Sequence, residues 1–373
     1  MNKLLSGTGG EGNMQPPRWS PGISLASAAV GVFFMLFILS LPAPGNAIEV
    51  AKYGADYTGG VGVRTLSLGG AGTASVNDVS AGFWNPGRMH LAPEKTLGIM
   101  HTESFGGTVN FDYAAMRVPM RGMNFGITLM RSGVDDIPNT LNALQDYGRD
   151  GRPNTGDEGE GNGEFDTFED GTSERLNEGE ISFFQASQYD LLVTYSKAVS
   201  EKLHYGANVK LHGKFIHETS AVGLGFDVGA AYQWKPWLQF GGMIRNATTT
   251  LLAWSTGRME IYKPEIRLGA AGELYLPPLK MQLVPTIDLI YYSGGRRLNS
   301  LGHFLGGSFQ YAAGMELTLN RNVALRFGRN SREDFTTGVA LSLGKVRVEY
   351  GFSPSSAQQE LGDSHRLGLL WEF

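Results

Sequence analysis

From Thr96 to the C-terminus, apolar residues alternate with small or polar residues at a period of two. In the segment 222–234 the apolar set ends in aromatic residues and comprises Val222, Leu224, Phe226, Val228, Ala230, Tyr232 and Trp234. The residues between them are glycine, aspartate, alanine and glutamine. Because successive side chains of a β-strand point to opposite faces, this pattern predicts strands with one apolar and one polar face.

Fourteen segments carry this alternation, and we predict a strand in each: 96–105, 109–118, 121–131, 187–198, 203–215, 222–234, 237–246, 264–276, 279–292, 306–318, 322–328, 334–343, 345–352 and 363–373. Tight connections such as Lys235-Pro236 alternate with longer ones such as 132–186 and 247–263. Short turns on one rim and long loops on the other are typical of bacterial outer-membrane barrels. The sequence therefore predicts an all-β protein, a transmembrane antiparallel β-barrel of about 14 strands. The alternative is a soluble periplasmic β protein whose core is built from the same apolar rows.

Composition agrees with a membrane barrel and excludes other classes of protein. Glycine contributes 52 of the 373 residues, and only 18% of the residues are charged. The net charge of −5, without any run of Lys and Arg, argues against nucleic acid as a partner. Because the sequence has no cysteine, structural disulfides, CxxC redox motifs and thiolate zinc sites are excluded.

The N-terminal residues 1–47 have the order of a secretory signal peptide. Arg18 precedes an uncharged apolar run from Ile23 to Leu41, and prolines and small residues follow up to Ala47. This order predicts export and cleavage near Ala47. The alternative is an uncleaved membrane anchor, because the run is just long enough to span a bilayer.

The last predicted strand ends in a terminal phenylalanine. Trp371 and Phe373 share its apolar face. A final amphipathic strand of this kind resembles the signal read by the barrel-assembly machinery. We therefore expect that machinery and outer-membrane lipid to be partners of the chain. An ordinary edge strand that happens to end in an aromatic residue is the alternative.

Two motifs before the first strand carry a resemblance to a known family. One is glycine-rich and lies within 64–74; the other lies within 77–87 and contains a Trp-Asn-Pro sequence. The residues concerned are Gly69, Gly70, Gly72, Asn77, Asp78, Trp84, Asn85 and Pro86. This pattern resembles the N-terminal signature of the FadL-like outer-membrane proteins, most closely the PorV/PorQ branch. Gly87 stands where alanine is usual in that branch.

The resemblance implies a fourteen-stranded barrel, residues 95–373, whose N-terminal segment, residues 48–94, folds inward as a hatch. The residue types agree, because glycines permit close backbone approach and Asn85 before Pro86 favours a turn. The alternative is a glycine-rich loop and an Asn-Pro turn without a role in transport. A dinucleotide-binding loop is rejected, since Ser75 stands where its third glycine would be.

The connection 132–186, expected on the exterior, is rich in aspartate and glutamate. Clustered carboxylates among glycines can bind Ca²⁺ through oxygen ligands. Acidic surface loops are more commonly just solvated, so both possibilities stay open and we assign no metal ligands.

On the strand 203–215 the polar set faces the predicted lumen. We expect Asn208, Lys210, His212 and Lys214 to line it, together with Asp227 of the next strand. The basic residues form a ladder that could attract an anionic head group, or simply a hydrated wall. The seven histidines are scattered and form no catalytic motif, so we expect neither an enzyme nor a cofactor.

The resemblance implies passive transport of hydrophobic or amphipathic small molecules, such as long-chain fatty acids, across the bacterial outer membrane. A second hypothesis is a PorV-like component of a type IX-like secretion or surface-attachment system, with secreted cargo proteins as partners.

Overall fold

The computed structural model describes residues 48–50, 59–120, 123–295, 300–331, 335–354 and 362–373. The chain divides into two units, Met1–Gly45 and Asn46–Phe373, and all described residues belong to the second. The predicted signal peptide lies outside the described residues.

Fourteen antiparallel strands form a closed barrel, which confirms the predicted fold class. They are β1 (Thr96–Ser104), β2 (Val109–Met120), β3 (Met123–Asn139), β4 (Ser182–Ala198), β5 (Leu203–Ile216), β6 (Thr219–Lys235), β7 (Leu238–Arg245), β8 (Glu265–Gly272, continued by Leu274–Leu276), β9 (Met281–Tyr292), β10 (Gly307–Leu319), β11 (Val323–Asn330), β12 (Phe335–Leu343), β13 (Val346–Ser353) and β14 (Ser364–Glu372).

The barrel closes because its first and last strands pair. β1 and β14 run antiparallel from Thr96 opposite Glu372 to Glu103 opposite His365. The amide of Phe373 extends this seam by donating to the carbonyl of Lys95 at 3.0 Å.

The alternation predicted from the sequence separates the two faces of the wall. Outward-facing apolar residues are exposed, for example Leu129 at 54% and Leu268 at 59%. Inward-facing polar residues such as Thr194 and Asp288 are fully buried. Such a wall, apolar outside and polar inside, matches a barrel surrounded by lipid. Among the described residues, no helix is long and apolar enough to cross a membrane.

The tight turns and the long connections lie on opposite rims. Near the tight-turn rim, four aromatic residues are about half exposed: Trp234, Trp237, Trp371 and Phe373. Aromatic side chains at this level are typical of a membrane–water interface.

The large acidic connection is shorter than the predicted 132–186. β3 continues to Asn139 and β4 begins at Ser182, so the loop spans 140–181. The two strands stay paired past a bulge after Val134, where Ile137 lies opposite Phe184. The alternation of apolar and polar residues ends before the strands do, because the part of a strand that extends beyond the membrane needs no continuous apolar face. The loop contains a short strand pair, Leu144–Gln145 with Arg175–Leu176, and a 3₁₀ helix, Glu178–Glu180.

The connection between β7 and β8, predicted as a loop, contains a hairpin. Its strands, Thr250–Trp254 and Met259–Tyr262, pair with each other, and the first also pairs with the start of β6. Ile48–Val50 adds to the second strand in parallel. A further short strand, Gly302–Phe304, pairs with β10.

β8 is interrupted at Glu273, next to Pro285 of β9. Ala271 still pairs with Thr286, and pairing resumes at Leu274 opposite Leu283. Proline has no amide hydrogen to donate to the ladder. The amide of Glu273 donates instead to the carbonyl of Trp237 at 2.8 Å. The adjoining turn is a 3₁₀ helix, Pro277–Leu279.

The closed seam predicts heat-modifiable behaviour. In membrane fractions run on SDS gels without boiling, the barrel should stay folded and migrate differently from the boiled chain, because all strands must separate together. A form that leaves the membrane fraction without detergent, with unchanged migration on boiling, would contradict a membrane barrel.

Candidate functional site

Residues 59–95, which we call the inner segment, lie inside the barrel. They contain two short helices, α1 (Val63–Ser67) and α2 (Ala81–Trp84), and a 3₁₀ helix, Pro86–Leu91. Nearly all of the segment is buried. Its apolar side chains, Trp84 among them, pack into one cluster with inward-facing residues of the wall such as Met100 and Tyr113. The indole N–H of Trp84 donates to the carbonyl of Val61 at 2.7 Å.

An ion network joins α1 to three strands. The guanidinium of Arg64 donates to both carboxylate oxygens of Glu316 on β10, at 2.9–3.1 Å. Arg326 on β11 donates to the same carboxylate at 2.6 Å and lies 2.8 Å from Glu349 on β13. All four side chains are at least nine-tenths buried. Two cations and two anions thus compensate each other away from water.

A single carboxylate holds the glycine-rich motif. Asp288 on β9 accepts hydrogen bonds from the amides of Gly72 and Thr73 and from the hydroxyl of Thr73, at 3.1, 3.0 and 2.7 Å. Charge-assisted bonds of this kind are stronger than bonds between neutral groups. They fix the backbone where it has no secondary structure of its own.

Asn85 joins the second motif to the wall. Its side-chain amide donates to the carbonyls of Thr73 and of Ala230 on β6, at 2.8 and 2.9 Å. Its side-chain oxygen accepts from the amide of Gly87 at 3.0 Å and so caps the 3₁₀ helix. The residue is completely buried.

Glycines of the wall make room for the inner segment, and the sequence reasoning did not identify them as site residues. A Cβ on Gly229 would lie 2.3 Å from the side-chain oxygen of Asn85, and one on Gly241 would lie 2.0 Å from the carbonyl oxygen of Thr73. The sequence did contain a signal for Gly229 and Gly241, because both belong to the small or polar set of their strands. Gly69 of the inner segment has a φ of +71°, and a Cβ there would lie 2.6 Å from the carbonyl of Arg329.

The structure brings most of the motif residues together. Gly60 and Gly70 both face the Trp84 ring, and Gly69, Gly72, Asn85 and Pro86 contact the wall. Asp78 accepts from the amide of Ser80 at 2.8 Å. Asn77, in contrast, is exposed.

The five predicted lumen-lining residues are neighbours on β5 and β6. Asn208 donates to the carbonyl of Gly82 at 2.7 Å, so it contacts the inner segment directly. Lys210 pairs with Asp227 at 2.8 Å, and His212 pairs with Asp190 of β4. Lys214 lies over the ring of Tyr262 at 5.4 Å. Two members of the expected basic ladder therefore face a carboxylate.

Three of the five, Lys210, His212 and Asp227, border a cavity of about 30 Å³. Its wall includes Phe83 of α2, the apolar Met130 and Leu192, and polar side chains of β4 to β7. β5 starts at the tight-turn rim, and Lys210 and His212 follow Asn208 toward the long-loop rim. The cavity thus lies on the long-loop side of α2.

At the other end of the inner segment, His90 stacks on His204 of β5 with 3.6 Å between ring centres. Its Nδ1 lies 3.0 Å from the carbonyl of Gly87 and must donate to it, which leaves Nε2 without a partner among the described residues. Burial, followed by the proximity of His204, lowers the pKa of His90 to about 4. The imidazole is therefore neutral at physiological pH.

Where the chain is described, no group of three or more His, Cys, Asp or Glu side chains is arranged to hold a metal ion. The acidic loop instead uses carboxylates to bind its own backbone. Asp146 accepts from the amides of Gly161 and Gly163, both at 2.7 Å.

No protein-family model matches the sequence. No curated protein matches it either. One crystal structure of the P. putida toluene transporter TodX aligns with a TM-score of 0.50 at 12% identity, over 84% of this chain and 99% of that chain. A second TodX structure, from Pseudomonas putida, gives the same two values over 87% and 98%.

The chain has the TodX fold. A Pseudomonas aeruginosa FadL homologue also aligns, with a TM-score of 0.47 at 12% identity, over 83% of this chain and 98% of that chain. At this identity the likeness to TodX concerns the fold alone, and the site residues stand on the geometry described above.

Changing Glu316→Gln should destabilise the barrel. The substitution keeps the side-chain shape but leaves the buried Arg64 without its carboxylate, which costs about 3–5 kcal/mol for a buried pair. Thermal unfolding followed by gel migration should shift to a clearly lower temperature. Glu103→Gln, at an exposed site, is the matched control and should unfold like the wild type. Equal unfolding temperatures for the wild type, Glu316→Gln and Glu103→Gln would show that the barrel does not depend on the ion network for its stability.

The His90 pKa predicts a loss of stability in acid. Its folded-state pKa of about 4 lies below the usual value of about 6.5, so the folded state resists protonation. The neutral form of His90 therefore contributes fully to the free energy of unfolding above pH 6.5. This contribution declines as the pH falls toward 4 and does not change further below pH 4. His90→Asn should flatten the pH dependence of thermal unfolding in this range, whereas His303→Asn, at an exposed site, should not. Identical pH profiles for the two variants would refute the role of His90.

Proposed function

We propose that the chain is a FadL-like outer-membrane barrel, of the PorV/PorQ branch, for passive passage of hydrophobic or amphipathic small molecules such as long-chain fatty acids. The observation that carries the proposal is a lipid-compatible barrel with the TodX fold whose lumen holds the inner segment. TodX is a toluene transporter.

In this proposal the inner segment acts as a hatch. Substrate is captured among the long exterior loops, moves past the Asn85-Pro86 turn, and leaves into the periplasm or sideways into lipid. The wall residues Asp288, Glu316 and Asn208 hold the segment in one position. An apolar solute can then pass only by the route that these contacts leave open, while large hydrophilic solutes are excluded.

The proposal includes export and assembly. Cleavage near Ala47 leaves Ile48 as the mature N-terminus, and Ile48–Val50 pairs with Met259–Ile261 of the exterior hairpin. The barrel-assembly machinery would recognise β14 with Trp371 and Phe373, and outer-membrane lipid would cover the apolar face.

A PorV-like role in protein secretion or surface attachment is the second candidate. The firmly anchored inner segment favours it, because a docking protein needs no passage through its lumen. Secreted cargo proteins that co-purify with the barrel, and that accumulate in the periplasm of a deletion strain, would support this role over small-molecule transport.

The transport proposal predicts a defect in uptake. A deletion strain should take up oleate or toluene more slowly than the wild type, and the wild-type gene should restore the rate. Asn85→Ala should not restore it, because the variant loses three buried hydrogen bonds worth about 3 kcal/mol together. It should also admit large hydrophilic antibiotics through the loosened lumen.

Asn77→Ala is the matched control for this experiment. Asn77 belongs to the same motif but is exposed, so its alanine variant should restore uptake and keep antibiotics out. Normal uptake of both hydrophobic compounds by the deletion strain would speak against transport.

A further inference from the structure

The cavity on the long-loop side of α2 has charged walls, and its lysine and arginine are paired with carboxylates. Lys210 lies 2.8 Å from Asp227. Arg245 donates to the carbonyl of Phe83 at 3.1 Å and lies 3.7 Å from Glu265. A charged ligand would therefore have to compete with an existing ion pair.

Asp190 orients two other side chains of the cavity wall. Its carboxylate can only accept, so the nearby Nδ1 of His212 must carry a hydrogen. For the same reason, the Gln188 group that lies 2.8 Å from this carboxylate must be its NH₂. The bond from Gln188 leaves the side-chain oxygen of this residue as an acceptor.

This oxygen has no hydrogen-bond partner among the described residues. Gln188 is only 2% exposed, and it lines the cavity. A buried acceptor without a donor is unfavourable, so a ligand that donates a hydrogen bond would be stabilised here.

The remaining wall indicates the rest of the ligand. Phe83, Met130 and Leu192 are apolar and buried, and they line the same cavity as Gln188. A volume of about 30 Å³ holds about two waters, which suits a small polar head rather than a whole aromatic ring. A carboxylate head would offer no hydrogen to the side-chain oxygen of Gln188.

We propose that this cavity binds the neutral hydroxyl head of an amphipathic molecule, an alcohol, whose single O–H donates to the side-chain oxygen of Gln188. The inference rests on the proposed transport function and narrows its substrate class. It selects neutral hydroxylated compounds over both carboxylates and compounds without a donor.

The test compares three ligands of similar length with the full barrel in lipid nanodiscs. 1-Octanol donates a hydrogen bond, its isomer 1-methoxyheptane does not, and octanoate carries a charge. Titration calorimetry, with empty nanodiscs subtracted to remove partitioning into lipid, should show 1-octanol binding about fivefold to tenfold more tightly than the ether. Octanoate should bind more weakly than 1-octanol.

One variant assigns the preference to the cavity. Gln188→Met should reduce the affinity for 1-octanol toward that for the ether, with little change for the ether itself. Gln310→Met is the matched control, because Gln310 is a buried glutamine of β10 that does not line the cavity. Heat-modifiable migration verifies that each variant is folded.

Equal binding of 1-octanol and the ether would overturn the inference, and so would tighter binding of octanoate or no binding of any of the three. An octanol preference that persists in Gln188→Met would overturn it as well. None of these outcomes bears on uptake by the deletion strain, so the proposed function stands or falls separately.

Discussion

A strand surrounded by lipid has no water to satisfy its backbone N–H and C=O groups, so these groups must pair with neighbouring strands. β1 and β14 meet this requirement by pairing with each other, and the sheet then has no free edge. Closure also determines where side chains go. Because side chains alternate along each strand, a wall that presents leucine and valine to lipid must present the intervening residues to a lumen.

Polar side chains that face the lumen supply hydrogen-bond partners for the inner segment. The inner segment contains little regular structure, so many of its backbone groups lack local partners. Asp288, Asn208 and Thr336 supply those partners from three different strands. The inward-facing glycines allow the backbones to approach, so the wall and the inner segment form one packed interior.

Alternation and loop lengths were sufficient to predict the strand number and the closed barrel. The ends of β3 and β4 were missed, because pairing beyond the bulge at Val134 depends on the partner strand and leaves no periodic signal. The motif residues of the inner segment were found through resemblance. Their partners Asp288, Glu316, Arg326 and Glu349 were not, since matching a charge at position 64 with one at position 316 requires the barrel register. The pairing of Lys210 with Asp227 likewise depends on the register between strands, and single-strand parity suggested a basic ladder instead.

The position of the cavity follows from where the anchoring contacts end. On β5, Asn208 contacts the backbone of α2, and the next inward residues, Lys210 and His212, lie beyond it toward the long loops. The cavity begins at this level, between Phe83 of α2 and the polar side chains of β4 to β7. There the side-chain oxygen of Gln188 has no donor among the described residues. In the proposed transport function, a lumen filled by its own chain is selective at this point, because a passing molecule must supply the hydrogen bond that the described residues do not.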